Sequence, residues 1–249
     1  MKKVCSRCVS DNTMSEILFD DNGICNFCKL HDRFVELHPL GKEGQQIIDK
    51  LVNQIITNGK GKPFDCIIGL SGGTDSTYLL YWAIQKGLRP LAVSFDNGWS
   101  TDIAVRNIRN ATNILGVELH TVIADWEEMK DLQRSFLKAS VSDADAPTDY
   151  GIYSVLYTEA INAGVKYSLN GHSFRAEGSV PKSWSYFDSR YVKSVLKKYG
   201  TIKNIQNDIL LTALPRHSHG KIKQGKGSKS KKKRTLNPNT ERKLLNFTY

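Results

Sequence analysis

The sequence predicts an α/β protein: a doubly wound parallel sheet with a small cysteine-bearing module in front of it. Three observations lead there. From Phe64 onward, short apolar strand patterns alternate with helix patterns, and repeated β-α-β units with continuous apolar strands build parallel sheets covered on both faces. A glycine-rich turn stands where the first of those strands gives way to the first helix. Four of the five cysteines precede all of this in two close pairs, Cys5-x2-Cys8 and Cys25-x2-Cys28.

Four zones follow in chain order. Residues 1–32 form the cysteine module, whose middle, Ile17-Leu18-Phe19-Asp20-Asp21-Asn22-Gly23-Ile24, reads as a strand and an Asn-Gly turn. Residues 33–62 read as a helical linker ending in Asn58-Gly59-Lys60-Gly61-Lys62-Pro63. Residues 63–214 are the sheet body. Its first strand is Asp65-Cys66-Ile67-Ile68-Gly69-Leu70. A helix from about Asp75 carries Leu79, Leu80 and Ala83 on one face and stops at Gly87. A second strand covers 91–95. Thr101 or Asp102 caps a helix ending near Gly116, and 117–123 is a third strand. Asp125 caps a helix reaching about Ala139. A further helix covers about 149–163 before Gly164, and Tyr167-Ser168-Leu169-Asn170 is a fourth strand. Residues 215–249 read as a basic, disordered tail, rich in Gly, Ser and Lys from 220 to 234.

With 249 residues, 40% of them hydrophobic, the chain suits one domain with a small appendage. Its net charge of +10 is local. Residues 216–243 hold eleven Lys/Arg and one acid, and removing them from the totals of 35 and 25 leaves 24 of each. A nucleic-acid reading of the basic balance therefore rests on the tail alone. Met1-Lys2-Lys3-Val4-Cys5 opens no apolar signal region, and no apolar run is long enough to cross a bilayer, so the expected compartment is the cytoplasm.

Paired cysteines without an export signal argue for metal over disulfides. Two tight turns, 16 residues apart, can each offer two thiolates to one tetrahedral ion. A structural Zn²⁺ on Cys5, Cys8, Cys25 and Cys28 is the first choice, with an iron–sulfur cluster as the alternative. A module this short buries too little apolar surface to fold unaided. Cys66 reads as a buried strand residue and His31 as a surface residue.

The most informative string is Ser71-Gly72-Gly73-Thr74-Asp75-Ser76. Gly72 and Gly73 allow a sharp turn and close approach of a ligand. The N–H groups that follow, at a helix N-terminus, form an anion site. Ser71 and Ser76 can donate to phosphate oxygens. Asp75 would repel a bare phosphate, and makes sense where Mg²⁺ bridges the two. No Gly-Lys-Ser/Thr follows, so this is not a Walker A loop. A plain turn capped by Asp75 would need fewer of these features. Asp96-Asn97-Gly98 ends the second strand at the same carboxyl edge, where open α/β sheets bind ligands.

The SGGTDS string resembles the PP-loop of the ATP pyrophosphatase superfamily, of the adenine nucleotide alpha hydrolase-like fold. That resemblance implies cleavage of ATP between its α and β phosphates, with Ser71, Gly72, Gly73, Thr74, Asp75 and Ser76 around pyrophosphate and Asp96 and Gly171 beside the nucleotide. Together with Cys5-Ser6-Arg7-Cys8-Val9 and Cys25-x2-Cys28, three later strings resemble the N-acetyl sugar amidotransferase family: Asp145-Ala146-Pro147-Thr148-Asp149, Asn170-Gly171-His172-Ser173-Phe174-Arg175-Ala176-Glu177-Gly178 and Trp184-Ser185-Tyr186-Phe187-Asp188. The resemblance spans about residues 1–205 and stops at the basic tail, where members continue with further ordered chain.

It implies an ATP-dependent enzyme that turns an acetamido group of a nucleotide-linked sugar into an acetamidino group for bacterial surface polysaccharide such as lipopolysaccharide O-antigen. It also implies a separate glutaminase subunit as the ammonia source. Arg175 would then hold a substrate carboxylate or diphosphate, while His172, Glu177, Asp149 and Asp145 would handle protons. A capping aspartate or a surface ion pair would look the same in sequence. Two alternatives stay open: a tRNA-modifying PP-loop enzyme of thiolation or lysidine type, and a truncated nucleotide-binding subunit without turnover.

Overall fold

The computed structural model describes residues 1–178, 181, 184, 188–202 and 245–248. Strands β1 (Cys66–Gly69), β2 (Pro90–Asp96), β3 (Leu119–Ile123), β4 (Tyr167–Asn170) and β5 (Leu245–Thr248) form one sheet in the order β3-β2-β1-β4-β5. Every neighbouring pair is parallel. The helices are α1 (Asn26–Leu37), α2 (Gly41–Gly59), α3 (Thr74–Gln85), α4 (Asp102–Leu115), α5 (Trp126–Ala139), α6 (Ala146–Ala163), α7 (Phe174–Glu177) and α8 (Ser189–Tyr199). None is long and apolar enough to cross a membrane among the described residues.

The continuous apolar strands split their side chains between two cores, because successive strand residues point to opposite faces. On one face Ile68, Ala92 and Leu169 pack with Val52 and Ile55 of α2, Leu79, Leu80 and Ala83 of α3, and Ile108 of α4. On the other, Ile67, Leu91 and Val93 pack with Val155, Leu156 and Ala160 of α6. The doubly wound arrangement is thus present, and the 71–76 loop, the 97–98 turn and the segment after Asn170 all lie at the carboxyl edge of the sheet. Farther out, Met129, Leu132 and Phe136 of α5 meet Val192, Val195 and Leu196 of α8.

The local signals explain most boundaries. Thr101 and Asp125 cap α4 and α5 through their side chains, and Gly116 and Gly164 close α4 and α6 in left-handed conformation. Four expectations shift. The strand expected within 17–24 is a single bridge, Phe19 to Cys25, because the Asp20–Gly23 turn folds the chain back at once. α1 starts at Asn26, inside the second cysteine pair, since the Cys25 sulfur accepts the Cys28 N–H as a cap. α6 starts at Ala146, with Pro147 in its first turn, where a missing N–H costs nothing. The expected tail, 215–249, gives four residues to β5: Leu245-Asn246-Phe247-Thr248 carries no charge, and the open edge of β4 offers a full ladder. The Lys-rich 216–243, the end of the body at 203–214, and Ser185, Tyr186 and Phe187 lie outside the described residues.

One polar contact ties α5 to the chain after α8. The carboxylate of buried Asp131 accepts from Thr201 N–H (2.8 Å), the Thr201 hydroxyl (2.8 Å) and Ile202 N–H (2.8 Å). Burial opposes ionisation, but these donors outweigh it and hold the carboxyl below its ordinary value. A depressed pKa gives stability that is present above the unfolded pKa, about 4, and lost as pH falls through the folded one. Asp131→Ala is expected to cost about 1.5–3 kcal/mol at neutral pH, because it removes three hydrogen bonds to a charged, buried acceptor. The difference from the parent should shrink below about pH 4, as read by urea melts across pH.

Candidate nucleotide site and cysteine cluster

The 71–76 loop leaves β1 and enters α3 at the carboxyl edge, with Ser71, Gly73, Thr74 and Asp75 exposed. It is held from within. Ser71 N–H donates to Ser76 Oγ (3.3 Å), the two serine hydroxyls lie 3.2 Å apart, and Gly73 N–H reaches Ser71 Oγ (3.3 Å). The Thr77 hydroxyl donates to Gly73 O at 2.7 Å. Gly73 is the N-cap of α3 and has no side chain to satisfy the first N–H groups, which leaves that helix end open to an anion.

α4 backs the loop. Gly72 is buried with φ +77°, and a Cβ there would lie 2.3 Å from the Ala104 carbonyl oxygen. Asn107 Nδ2 donates to Gly72 O (3.0 Å). Gly171, just after β4, abuts Asp75: a Cβ on it would stand 3.2 Å from the Asp75 carbonyl carbon and Cβ. The glycine therefore lets the end of β4 come against the start of α3.

Asp96 ends β2 and its carboxylate accepts from Gly98 N–H (3.0 Å), shaping the turn beside the loop. Asn97, buried, donates to the Thr148 hydroxyl (3.3 Å) and so joins this turn to the start of α6. Gly98 makes room for Trp126, whose ring would sit 2.4 Å from a Cβ there.

The segment that follows Gly171 and the first turns of α6 carry polar groups. His172 Nδ1 lies 3.2 Å from both carboxylate oxygens of Glu177, across α7. Burial, then the charges of Asp145 and Asp143, raise the Asp149 carboxyl above its ordinary value, while His172 pulls it partly back. Burial, then Asp149, Tyr157 and Glu177, raise the Tyr153 phenol. The structure thus brings Asp149, Tyr153, His172 and Glu177 into one electrostatic neighbourhood. Arg175 points elsewhere: its Nη2 donates to the carbonyl of His38 at the end of α1 (2.9 Å), and its guanidinium lies 5.1 Å from the Phe174 ring.

Sequence reasoning missed Asn107, Asn97 and Tyr153. For Tyr153 a signal existed, since Asp149, Tyr153 and Tyr157 recur every four residues on α6 and so mark a polar stripe on a mostly apolar helix. Asn107 and Asn97 carried none, because their partners lie 35 and 51 residues away.

The four paired cysteines converge, with all four sulfurs within 4.8 Å of one another. Cys5 and Cys28 sulfurs are 3.9 Å apart, and those of Cys8 and Cys25 are 3.8 Å apart. A zinc ion with Zn–S bonds of about 2.3 Å needs tetrahedral edges of about 3.8 Å. A multi-iron cluster would spread its thiolates farther. Arg7 N–H (3.4 Å) and Cys25 N–H (3.2 Å) point at the Cys5 sulfur and favour its thiolate. These residues could form a zinc site. Elemental analysis of the purified chain should find about one zinc per chain, released by acid as the thiolates protonate. Cys66 is fully buried, and burial and Asp65 raise its thiol, so it is inert as a nucleophile. His31 is not a free surface residue, since its ring packs edge-on against Phe174 at 5.6 Å.

Residues 65–151 match the family model described as queuosine biosynthesis protein QueC. No curated protein matches the chain. Among solved structures it is similar to an NH3-dependent NAD synthetase from Campylobacter jejuni (15% identity, TM-score 0.41, 62% of this chain and 72% of that one). It is also similar to an NMN synthetase from Francisella tularensis (18%, 0.39, 52% and 55%). A predicted subunit of tRNA methyltransferase from Methanocaldococcus jannaschii is a third such neighbour (14%, 0.35, 54% and 64%). The QueC match covers the loop, β2, α4 and β3, and with the strand–loop–helix geometry it supports the PP-loop ATP pyrophosphatase superfamily for this chain.

Proposed function

We propose that the chain is an ATP-dependent C–N ligase that converts the acetamido group of a nucleotide-linked N-acetyl sugar into an acetamidino group, for bacterial surface polysaccharide. The observation that carries the reading is the exposed 71–76 loop at the open N-terminus of α3, with Gly171, the residue before His172, packed against Asp75. The first half fits adenylation. The amide oxygen attacks the α-phosphate of ATP, the α–β bridging bond breaks, and pyrophosphate leaves into the loop. There the α3 N–H groups, Ser71 and Ser76 oppose its charge. Asp75 is the residue to hold Mg²⁺, which supplies charge neutralisation for the leaving phosphates.

The second half needs a proton acceptor. Ammonia adds to the imidate carbon, AMP departs with the former amide oxygen, and the surplus proton goes to the Asp149, His172 and Glu177 wall. A raised carboxyl pKa means that the basic form of Asp149 grows in as pH rises through it, so ammonia-dependent turnover should rise likewise. Asp149→Asn is expected to lower that step by about 10²-fold while adenylation persists, as quenched-flow detection of AMP and pyrophosphate would show. Ammonia would come from a separate glutaminase subunit. Release of ammonia from glutamine by the isolated chain would defeat this part.

The QueC match favours a second reading, a PP-loop enzyme of modified-nucleoside or tRNA chemistry. One assay separates them: pyrophosphate release from Mg·ATP with ammonium chloride and a panel of nucleotide-linked N-acetyl sugars, run against bulk tRNA. Sugar-dependent release with a product about one mass unit lighter supports the ligase. Release with tRNA alone supports the second reading, and no release with either supports a nucleotide-binding subunit without turnover.

A further inference from the structure

We infer that Phe174 and Arg175 are positioning residues that couple metal occupancy of the cysteine cluster to the His172–Glu177 wall. The coupling runs through contiguous contacts. Cys25 caps α1 and Cys28 lies in its first turn, so the metal ligands fix the start of that helix. α1 ends at Leu37 and is capped by His38, whose backbone N–H closes on Phe34 O. Three rings of this segment, His31, Phe34 and His38, surround Phe174, with centroids at 5.6, 5.5 and 5.8 Å. Arg175 then donates to the His38 carbonyl at 2.9 Å, placing a cation at the C-terminal end of α1. α7 is one turn long, and its last residue, Glu177, bonds His172.

The other anchors of α1 lead back to the same cysteine module: Asp32 pairs with Arg7, Lys29 with Asp20, and the Asn26 side chain bonds Leu18 and Glu16. α1 has 12 residues and none of them is buried, and α7 has none buried either. A helix of that length is marginal in isolation, and a single turn is below the cooperative minimum. Without the metal, the cysteine module lacks a core of its own, α1 loses its N-terminal anchor, and α7 loses the surface on which Phe174 rests. The sheet does not depend on this chain of contacts, because its strands are covered by α2, α3, α4 and α6. Metal loss should therefore loosen one wall of the crevice and leave the 71–76 loop in place. The inference stands whatever the acceptor substrate is, since it concerns the order of residues 171–178.

Hydrogen–deuterium exchange on the full chain, zinc-loaded against chelator-stripped, tests it. Stripping should speed exchange at 171–178 by about tenfold, with β1 and β2 still protected. Faster exchange confined to residues 1–38 would overturn the inference. So would loss of protection across β1 and β2, because the module would then hold the whole sheet. A zinc-loaded variant supplies the second arm. Phe174→Ala should keep one zinc, speed exchange at 171–178 by a similar factor and move the His172 ring resonances in the NMR spectrum, and Phe174→Tyr should restore both. Unchanged exchange and His172 signals in Phe174→Ala would overturn it.

Discussion

Gly72→Ala is expected to lower stability by about 2–5 kcal/mol and to reduce ATP-dependent pyrophosphate release at least about 100-fold. The first figure combines two costs. Gly72 has φ +77°, a conformation that an alanine adopts at about 1–2 kcal/mol. The added methyl also meets backbone: the Ala104 oxygen at 2.3 Å and the Ala104 carbonyl carbon and Cα at 2.8 Å. A helix backbone does not swing aside like the tip of a side chain, so either α4 retreats or the loop rises. Either movement breaks the Asn107 bond to Gly72 O and tilts the N–H groups away from where a phosphate would sit. Gly87→Ala is the control. It has φ +76° but nothing within 4 Å, so it should show only the conformational cost and full activity. Thermal melts and a coupled pyrophosphate assay on both variants give the answer. If the two behaved alike, α4 would not be what holds the loop.

The difference between those two glycines also shows what the sequence could carry. Both have positive φ, and nothing in the local sequence says that α4 packs on Gly72 and leaves Gly87 open. The loop itself was legible because Gly-Gly, two hydroxyls and an acid occur together at a strand-to-helix switch. β1, β2, α3, α4, α5 and β4 were legible because apolar runs, side-chain caps and closing glycines agree on the same boundaries. The cysteine cluster was legible from spacing alone. What stayed hidden is tertiary. Asn107 reaches Gly72, Asn97 reaches Thr148, and Arg175 reaches His38 across 137 residues, each by a contact that leaves no periodic trace. Arg175 is instructive, because an arginine among site-like residues suggested an anion ligand, yet it bonds a helix carbonyl. β5 was hidden for another reason: the charge of residues 216–243 masked a short uncharged strand behind it.

Asp75→Asn is expected to lower pyrophosphate release by about 10³-fold while changing stability by less than about 1 kcal/mol. The two effects separate because the residue has two possible roles. As an acid in the first turn of α3 it complements the helix dipole, and an exposed charge of that kind contributes only about 0.3–1 kcal/mol. As the ligand of a cation it would be needed whenever the phosphates are bound, and an amide cannot replace the charge. Asparagine keeps the shape, so the contact of Gly171 with the Asp75 backbone and Cβ survives and the crevice stays closed on that side. Titrating Mg²⁺ at fixed ATP separates the roles further. A cation ligand predicts that the variant needs far more Mg²⁺ and still turns over slowly. A purely helical role predicts an unchanged Mg²⁺ curve with a small drop in melting temperature. In that case the anion site of α3 would act through Ser71, Ser76 and the helix N–H groups alone, and the cation would have to be held by the nucleotide itself.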